Sequence, residues 1–293
     1  MIQRVMVELD NRCGRDCPQC YLGSDKRGLP LTEAVRRVKI LQALGIPSIK
    51  PIFGEVLDHP EYLQLFPLLG HHYCLSSGAA IVSDPSIRQQ LVQNGIKAVR
   101  LSAHYFDQGR WSPVPLSVVH EAIRLLHEVS IKAEAFTILW RGNYQSVSAI
   151  CQRAIADGIS TLRFINLMPI RPELRSDVLT VAEIQQVFDQ VALMRQQIPK
   201  DQLTIKLLGN FGPRPGSLGQ ELSQRRCYCP AGRESIYIDI DGLVYPCMFL
   251  RGPQWVIGRL NRRKLTIKQI TDRFDRRTCQ LLIQTKERSL NDE

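Results

Sequence analysis

Val5-Met6-Val7-Glu8-Leu9 runs, after three intervening residues, into Cys13-Gly14-Arg15-Asp16-Cys17-Pro18-Gln19-Cys20-Tyr21. The first stretch is apolar and β-branched enough to read as a strand, and the second is a loop bearing three cysteines at the spacing C-x3-C-x2-C. Four thiolates close a structural metal site, whereas three thiolates on one short loop around a [4Fe–4S] cube leave the fourth iron open to a non-protein ligand. Thiolates also suit zinc, so a structural zinc site completed by a distant fourth ligand is the alternative.

Downstream of this loop, short apolar runs alternate with amphipathic helical stretches at intervals of roughly 25 to 35 residues. The strands are read at Val5–Leu9, Ser48–Phe53, Tyr73–Ser76, Ala98–Ser102, Ala133–Leu139 and Leu162–Asn166. Helices are read at Thr32–Leu44, Pro85–Asn94, Leu116–Val129 and Tyr144–Asp157, and Gly45, Gly95 and Gly158 stand where a left-handed helix terminus is expected. Six β-α repeats predict an α/β fold with a parallel sheet, because parallel neighbours need a crossover; periodicity alone does not separate a doubly wound sheet from a barrel. Chemistry in such folds gathers at the C-terminal ends of the strands, which is where the cysteine loop sits. Beyond the loop Met168-Pro-Ile-Arg-Pro172, a helix runs through Val191 and a short strand is read at Thr204–Leu208. Residues 209–224 are rich in Gly, Pro and Ser and read as a linker or a substrate-facing loop, so a domain boundary is placed near residue 210.

At 293 residues and 44% hydrophobic, the chain can bury one large core with a small appendage, as a soluble globular protein does. It contains neither a run of eighteen apolar residues nor a basic region followed by an apolar stretch. Neither a membrane span nor a signal peptide is expected, and the location is read as cytoplasmic. Nine cysteines in such a chain favour metal binding over disulfides. Cys74 and Cys151 lie in apolar segments and read as core residues. The net charge is +10, with basic residues gathered at Arg225-Arg226, Arg262-Arg263-Lys264 and Arg276-Arg277. These are read as solvated helix ends and loops, and no nucleic-acid partner is expected.

A second cysteine group follows the linker: Cys227-Tyr228-Cys229 and, after Ile236–Ile240, Asp241-Gly242 and Leu243–Tyr245, Cys247. Asp-Gly between two alternating runs predicts a two-residue hairpin, which would set Cys229 beside Cys247.

The tri-cysteine loop resembles the signature of the radical S-adenosylmethionine (radical SAM) superfamily. Cys229-x12-Gly242-x4-Cys247 resembles the opening of the SPASM and twitch auxiliary-cluster domains found on one branch of it. The resemblance implies a partial (β/α)6 barrel over residues 1–210 and a β-hairpin plus helix auxiliary-cluster domain over 211–293. It implies that Cys13, Cys17 and Cys20 hold a [4Fe–4S] cluster whose open iron takes S-adenosylmethionine. Cys229 and Cys247, with Cys227 or Cys279, would hold an auxiliary [4Fe–4S] cluster. Gly54-Glu55 resembles the family's glycine-glutamate element, although Phe53 stands where many members have another glycine. Tyr21, Gly54, Glu55, Ser77 and Ser102 match cofactor-contacting positions, and Ser77-Gly78 and Ser102 read equally as cap or turn residues. The family often has an aromatic residue just before the third cysteine; here Gln19 stands there and Tyr21 follows it. His104 and Tyr105 face substrate or lie in a surface loop. The implied activity is reductive cleavage of S-adenosylmethionine and hydrogen abstraction from a peptide (crosslinking, dehydrogenation or epimerisation), or from a small molecule. The implied partners are an electron donor such as a flavodoxin or ferredoxin and a separate peptide-recognition protein. Outside this class, an iron–sulfur carrier and a zinc-stabilised nucleic-acid binder are the remaining readings.

Overall fold

The computed structural model describes residues 2–22, 26–211, 230–261 and 264–267. Cys227, Cys229, Cys279 and the helix expected at the C-terminus lie outside the described residues. In chain order the elements are β1 (Arg4–Asp10), α1 (Leu31–Ala43), β2 (Ser48–Phe53), α2 (Leu65–Leu68), β3 (Tyr73–Ser76), α3 (Ala79–Ser83), α4 (Pro85–Gln93) and β4 (Ala98–Ser102). Then follow α5 (Gln108–Trp111), α6 (Leu116–Glu128), β5 (Lys132–Leu139), α7 (Val147–Ala156), β6 (Thr161–Asn166), α8 (Val181–Gln197) and β7 (Thr204–Leu207). Four short strands complete the order: β8 (Ser235–Ile238), β9 (Leu243–Tyr245), β10 (Gly258–Leu260) and β11 (Leu265–Ile267).

The strands read over residues 1–208 all form, within a residue at either end, and the run read at Ile236–Ile240 forms as Ser235–Ile238. Gly45, Gly95 and Gly158 close α1, α4 and α7 at φ +69°, +68° and +74°, the left-handed turn a glycine adopts without a Cβ penalty. The helix read from Tyr144 starts three residues later, because Tyr144–Ser146 is a 3-10 turn leading into α7. α8 opens on a capping box in which Thr180 and Glu183 bond each other's backbone N–H, a Thr-x-x-Glu signal present in the sequence.

The chain divides into two compact units, neither continuous in sequence. The first comprises the described residues of Met1–Gly14, Tyr21–Gly70 and Cys229–Ile283. Its sheet runs in the order β11-β10-β9-β8-β1-β2. β1 pairs in parallel with β2, from Arg4 opposite Ser48 to Asp10 opposite Phe53, and on its other side with β8, from Arg4 opposite Ser235 to Val7 opposite Ile238. The C-terminal strands thus continue the sheet that begins at β1, and the expected hairpin is the β8–β9 pair within it. Val5, Val7 and Leu9 are fully buried, and so are Glu8 and Asp10 on alternate positions of the same strand.

The β8–β9 connection has four residues rather than two. Asp239 folds it by accepting from Asp241 N at 3.0 Å and Leu243 N at 2.8 Å, while Gly242 N bonds Asp239 O at 3.0 Å. Arg37 of α1 is buried and donates to the carbonyls of Asp239 and Ile240 at 3.1 and 2.8 Å, fixing that turn from beneath. Gly242 has φ +80°, and a Cβ there would lie 2.4 Å from Leu260 O. Gly242→Ala is therefore expected to cost about 2–3 kcal/mol and to lower the thermal midpoint by roughly 5–10 °C, measured by circular dichroism. An unchanged midpoint would mean that this turn has another geometry.

The second unit comprises the described residues of Arg15–Cys20 and His71–Tyr228. Its sheet is wholly parallel, in the order β3-β4-β5-β6-β7. β5 and β6 are buried along nearly their whole length, as expected of a parallel sheet covered by crossover helices. α6 turns Val119, Ala122, Ile123, Leu125 and Leu126 inward, each worth about 1.5–3 kcal/mol on full burial if branched aliphatic. Among the described residues, no helix is long and apolar enough to cross a membrane.

Candidate metal centre

In the first unit, the chain leaving β1 is fixed before it reaches Cys13. The buried Asp10 carboxylate takes a two-pronged bond from Arg12, at 2.9 Å from Nε and 2.8 Å from Nη2, and a further bond from Arg12 N at 2.9 Å. This pairing raises the already high Arg12 pKa, so the guanidinium stays charged. The returning arm of the loop lies alongside β1: Asn11 N bonds Arg27 O at 2.7 Å, Leu29 N bonds Leu9 O at 2.9 Å, and Lys26 Nζ donates to Cys13 O at 2.6 Å.

At the C-terminal end of β2, Gly54 N donates to Asp10 O at 2.7 Å and Glu55 N to Arg12 O at 3.2 Å. A Cβ on Gly54 would meet Arg12 O at 2.5 Å and the Cys13 Cβ at 2.8 Å. The glycine is thus required by close approach of two backbones. Glu55 is 3% exposed, and its carboxylate accepts from Leu57 N at 3.3 Å, capping a 3-10 turn at Val56–Asp58. Tyr21 packs edge-on against Tyr237, with centroids 6.4 Å apart, and against Phe249, at 5.9 Å. Cys247, partly buried, follows β9.

In the second unit, Cys17 and Cys20 are partly buried and joined by a turn, with Cys20 N bonded to Cys17 O at 3.1 Å. Gln19, between them, donates to Trp111 O at 2.7 Å. At the end of β3 the Ser76 hydroxyl accepts from Gly78 N and the Ser77 hydroxyl from Ala79 N, at 2.9 and 3.4 Å, so both form turn bonds into α3. Gly78 has φ +90°, and a Cβ would lie 3.0 Å from the Ala122 Cβ of α6. Ser102 ends β4, and its carbonyl accepts from Gln108 at 3.2 Å. Each of Gly54-Glu55, Ser77 and Ser102 therefore stands at the C-terminal end of a parallel strand, the edge at which α/β folds bind ligands.

His104 and Tyr105 are buried, at 4% and 1% exposure, and form neither a surface loop nor a solvent-facing pair. The His104 Nδ1 faces Ile138 N at 3.4 Å, which leaves the ring proton on Nε2. Burial lowers the imidazole pKa from 6.5 to about 4. Above pH 6.5 neither folded nor unfolded chain binds this proton. As pH falls from 6.5 towards 4 only the unfolded chain takes it up, so stability declines over that window. Urea unfolding of His104→Gln is expected to show a flatter profile between those two pH values; a slope equal to wild type would place the acid sensitivity elsewhere. Phe106, next in the chain, is exposed with φ +70°, a strained position held by the neighbouring buried Gln108 and by Asp107, which accepts from Trp140 Nε1 at 3.0 Å.

The donors suit an iron–sulfur group by chemistry: three thiols on one loop, with a neighbouring backbone pressed close by a glycine. Asn11 Oδ1, just before the cysteines, and Gln19 Oε1, among them, are buried without a hydrogen-bond partner among the described residues. Buried acceptors of this kind call for a donor such as water, a hydroxyl or an ammonium group, which cluster sulfides do not supply. Among the described residues, no three of Cys, His, Asp and Glu gather closely enough to hold a single metal ion.

SPASM, an iron–sulfur cluster-binding domain, matches residues 227–290. The structure of Streptococcus suis SuiB bound to precursor peptide SuiA superposes with a TM-score of 0.70 at 15% identity, over 90% of this chain and 63% of that one. This chain thus shares the mixed α/β fold of SuiB, and its residues 227–290 are those that match the SPASM model. SuiB bound to S-adenosylmethionine gives 0.69 at 16% identity over 87% of this chain and 62% of that one. anSMEcpe with bound AdoMet and the Cp18Cys peptide gives 0.60 at 15% over 90% and 78%. The chain spans about 63% of the SuiB chain it matches. No curated protein matches it by sequence. The described part of the SPASM domain is the β8–β11 meander with the Cys247 segment.

Several residues of this site carried no sequence signal. Asp10, Arg12 and Lys26 hold the cysteine loop, and Glu8 and Arg251 contact the same region, but a lone charged residue in a strand or loop reads as solvated. The alternation of Val5, Val7 and Leu9 placed Glu8 on the opposite face, and only a pairing partner on that side explains its burial.

Proposed function

We propose that this chain is a radical SAM enzyme of the maturase type, an oxidoreductase acting on a peptide. The observation that supports it most is the three-cysteine loop at the end of β1, with Gly54 packed on the backbone of Arg12 and Cys13, in a fold shared with SuiB and anSMEcpe. The structures of those two proteins hold a precursor peptide and a Cp18Cys peptide, which supports a peptide as substrate here.

In this reading Cys13, Cys17 and Cys20 bind a [4Fe–4S] cluster. When bound, that cluster supplies the electron that splits S-adenosylmethionine into methionine and a 5′-deoxyadenosyl radical, the species that abstracts hydrogen from substrate. The chain's own residues bind and orient. Glu55, buried at the end of β2, accepts from the methionine ammonium, and Gly54 lets the backbone approach without a side chain. Ser77 and Ser102 contact the sugar and carboxylate from the ends of β3 and β4, and Tyr21 contributes a backbone contact. Residues 1–210 serve this chemistry, and residues 211–293 hold an auxiliary [4Fe–4S] cluster through Cys229 and Cys247 with Cys227 or Cys279. A flavodoxin or ferredoxin supplies the electron, and a separate protein presents the peptide.

The test is anaerobic reconstitution with iron and sulfide, reduction by dithionite, and assay of 5′-deoxyadenosine release from S-adenosylmethionine. Iron-dependent release supports the reading. Zinc in place of iron, or clusters without release, overturns it; release stimulated by a sugar but by no peptide overturns the substrate class alone.

A further inference from the structure

The geometry points to Arg251 as a positioning residue that sets the three-cysteine loop from the SPASM side, through the carbonyl of Tyr21. This deepens the radical SAM reading and rests on it. Arg251 lies four residues after Cys247, and Tyr21 is the residue that follows Cys20. Arg251 Nη1 donates to Tyr21 O at 3.2 Å, while its Nη2 stands 3.0 Å from Glu8 Oε1. Leu250 N bonds Cys247 O at 3.1 Å, so the chain from Cys247 to Arg251 is folded back on itself.

The anchor beneath the guanidinium is rigid. Glu8 is fully buried on β1 and accepts from Asn11 Nδ2 at 2.9 Å, from Ile240 N at 3.1 Å and from the Tyr237 hydroxyl. Its carboxylate is therefore held from β8 and from the turn that follows it, since Tyr237 belongs to β8 and Ile240 to the β8–β9 connection. Arg251 also stands over the Tyr237 ring, 5.5 Å from its centroid. The Tyr21 ring is held between Tyr237 and Phe249, each edge-on at 73°. Backbone and ring of Tyr21 are thus both fixed, the first by a charge-assisted bond and the second by two aromatic edges. A guanidinium can serve two acceptors at fixed angles where an ammonium serves one well.

The step from fixed Tyr21 to function is geometric. A residue adjoining a cluster ligand, and matching a cofactor-contacting position, transmits its displacement to that ligand and to whatever binds the open iron. Removing Arg251 takes one charge-assisted hydrogen bond from the Tyr21 carbonyl without touching a cysteine.

The experiment compares wild type, Arg251→Lys and Arg251→Met after anaerobic reconstitution. It measures iron per chain, far-ultraviolet circular dichroism and the S-adenosylmethionine concentration that half-saturates the change in the electron paramagnetic resonance of the reduced protein. The expected result is wild-type iron and circular dichroism in both variants. Half-saturation should rise about tenfold in Arg251→Met, the scale of one lost charge-assisted hydrogen bond, and to an intermediate value in Arg251→Lys. Unchanged half-saturation at full iron overturns the inference, as does loss of iron or of circular dichroism in both variants, which would make Arg251 merely structural. A wild type with no S-adenosylmethionine response defeats the radical SAM reading and this inference with it.

Discussion

Replacing Cys13, Cys17 and Cys20 by alanine together is expected to lower the iron bound after reconstitution from about eight to about four atoms per chain. Release of 5′-deoxyadenosine should be abolished. The halving follows from two cysteine groups acting independently: the first hangs from β1, and the second, around Cys247, follows β9. The change need not unfold the chain, because the loop is held by Asp10, Arg12, Lys26 and Arg27 through bonds that use no thiol. Iron and sulfide analysis with electron paramagnetic resonance checks it, and the signal that remains should not respond to S-adenosylmethionine. Unchanged iron would remove Cys13, Cys17 and Cys20 from the ligand set. A fall from about four atoms to none would keep the first cluster and discard the auxiliary one.

Gly54→Ala is the second large effect. The added methyl would lie 2.5 Å from Arg12 O, so that carbonyl must retreat to at least 3.0 Å, and it is backbone rather than the free end of a side chain. Arg12 cannot retreat alone, since its N–H and guanidinium are both bonded to the buried Asp10 carboxylate. The displacement therefore falls on Cys13. Misplacing a reacting group by a fraction of an ångström to one ångström costs up to about a hundredfold in rate, and a loss of that order in 5′-deoxyadenosine release is expected, with the fold retained by circular dichroism. Gly45→Ala is the control: its added methyl meets nothing, and its left-handed backbone costs about 1–2 kcal/mol of stability while activity is kept. Equal activity in both variants would show that the two loops do not need this contact.

The parallel α/β core was legible because its signals are local. β2, β3 and β4 form over the very residues whose short apolar runs predicted them, and Gly45, Gly95 and Gly158 close their helices by a rule of single-residue conformation. What the sequence could not show depends on distant partners. Nothing near Glu8 announces Tyr237 or Arg251, and nothing in Ser235–Ile238 says that β1 is its neighbour. β10 and β11 are three residues long, too short for alternation to register. The four-residue turn replaced the expected Asp241-Gly242 pair because the Asp239 carboxylate recruits two backbone N–H groups, a competition between side chain and strand that the dipeptide signal ignores. At the site, Cys13, Cys17 and Cys20 were visible as a spacing, and Gly54 as half of a weak dipeptide. The close contact that makes Gly54 necessary is visible only in three dimensions.

The pairing of β1 with β8 also has a consequence during synthesis. Arg4 meets Ser235, roughly 230 residues later in the chain. When β1 leaves the ribosome, one of its hydrogen-bonding edges has to wait until β8 has been translated. At about 5–20 residues per second, that interval lasts roughly 10 to 50 seconds. Arg4 to Val7 would meanwhile present an uncovered strand edge, the feature that invites pairing with other nascent chains. Slow growth at low temperature and chaperone supply should therefore govern the yield of soluble protein more than any property of the finished fold.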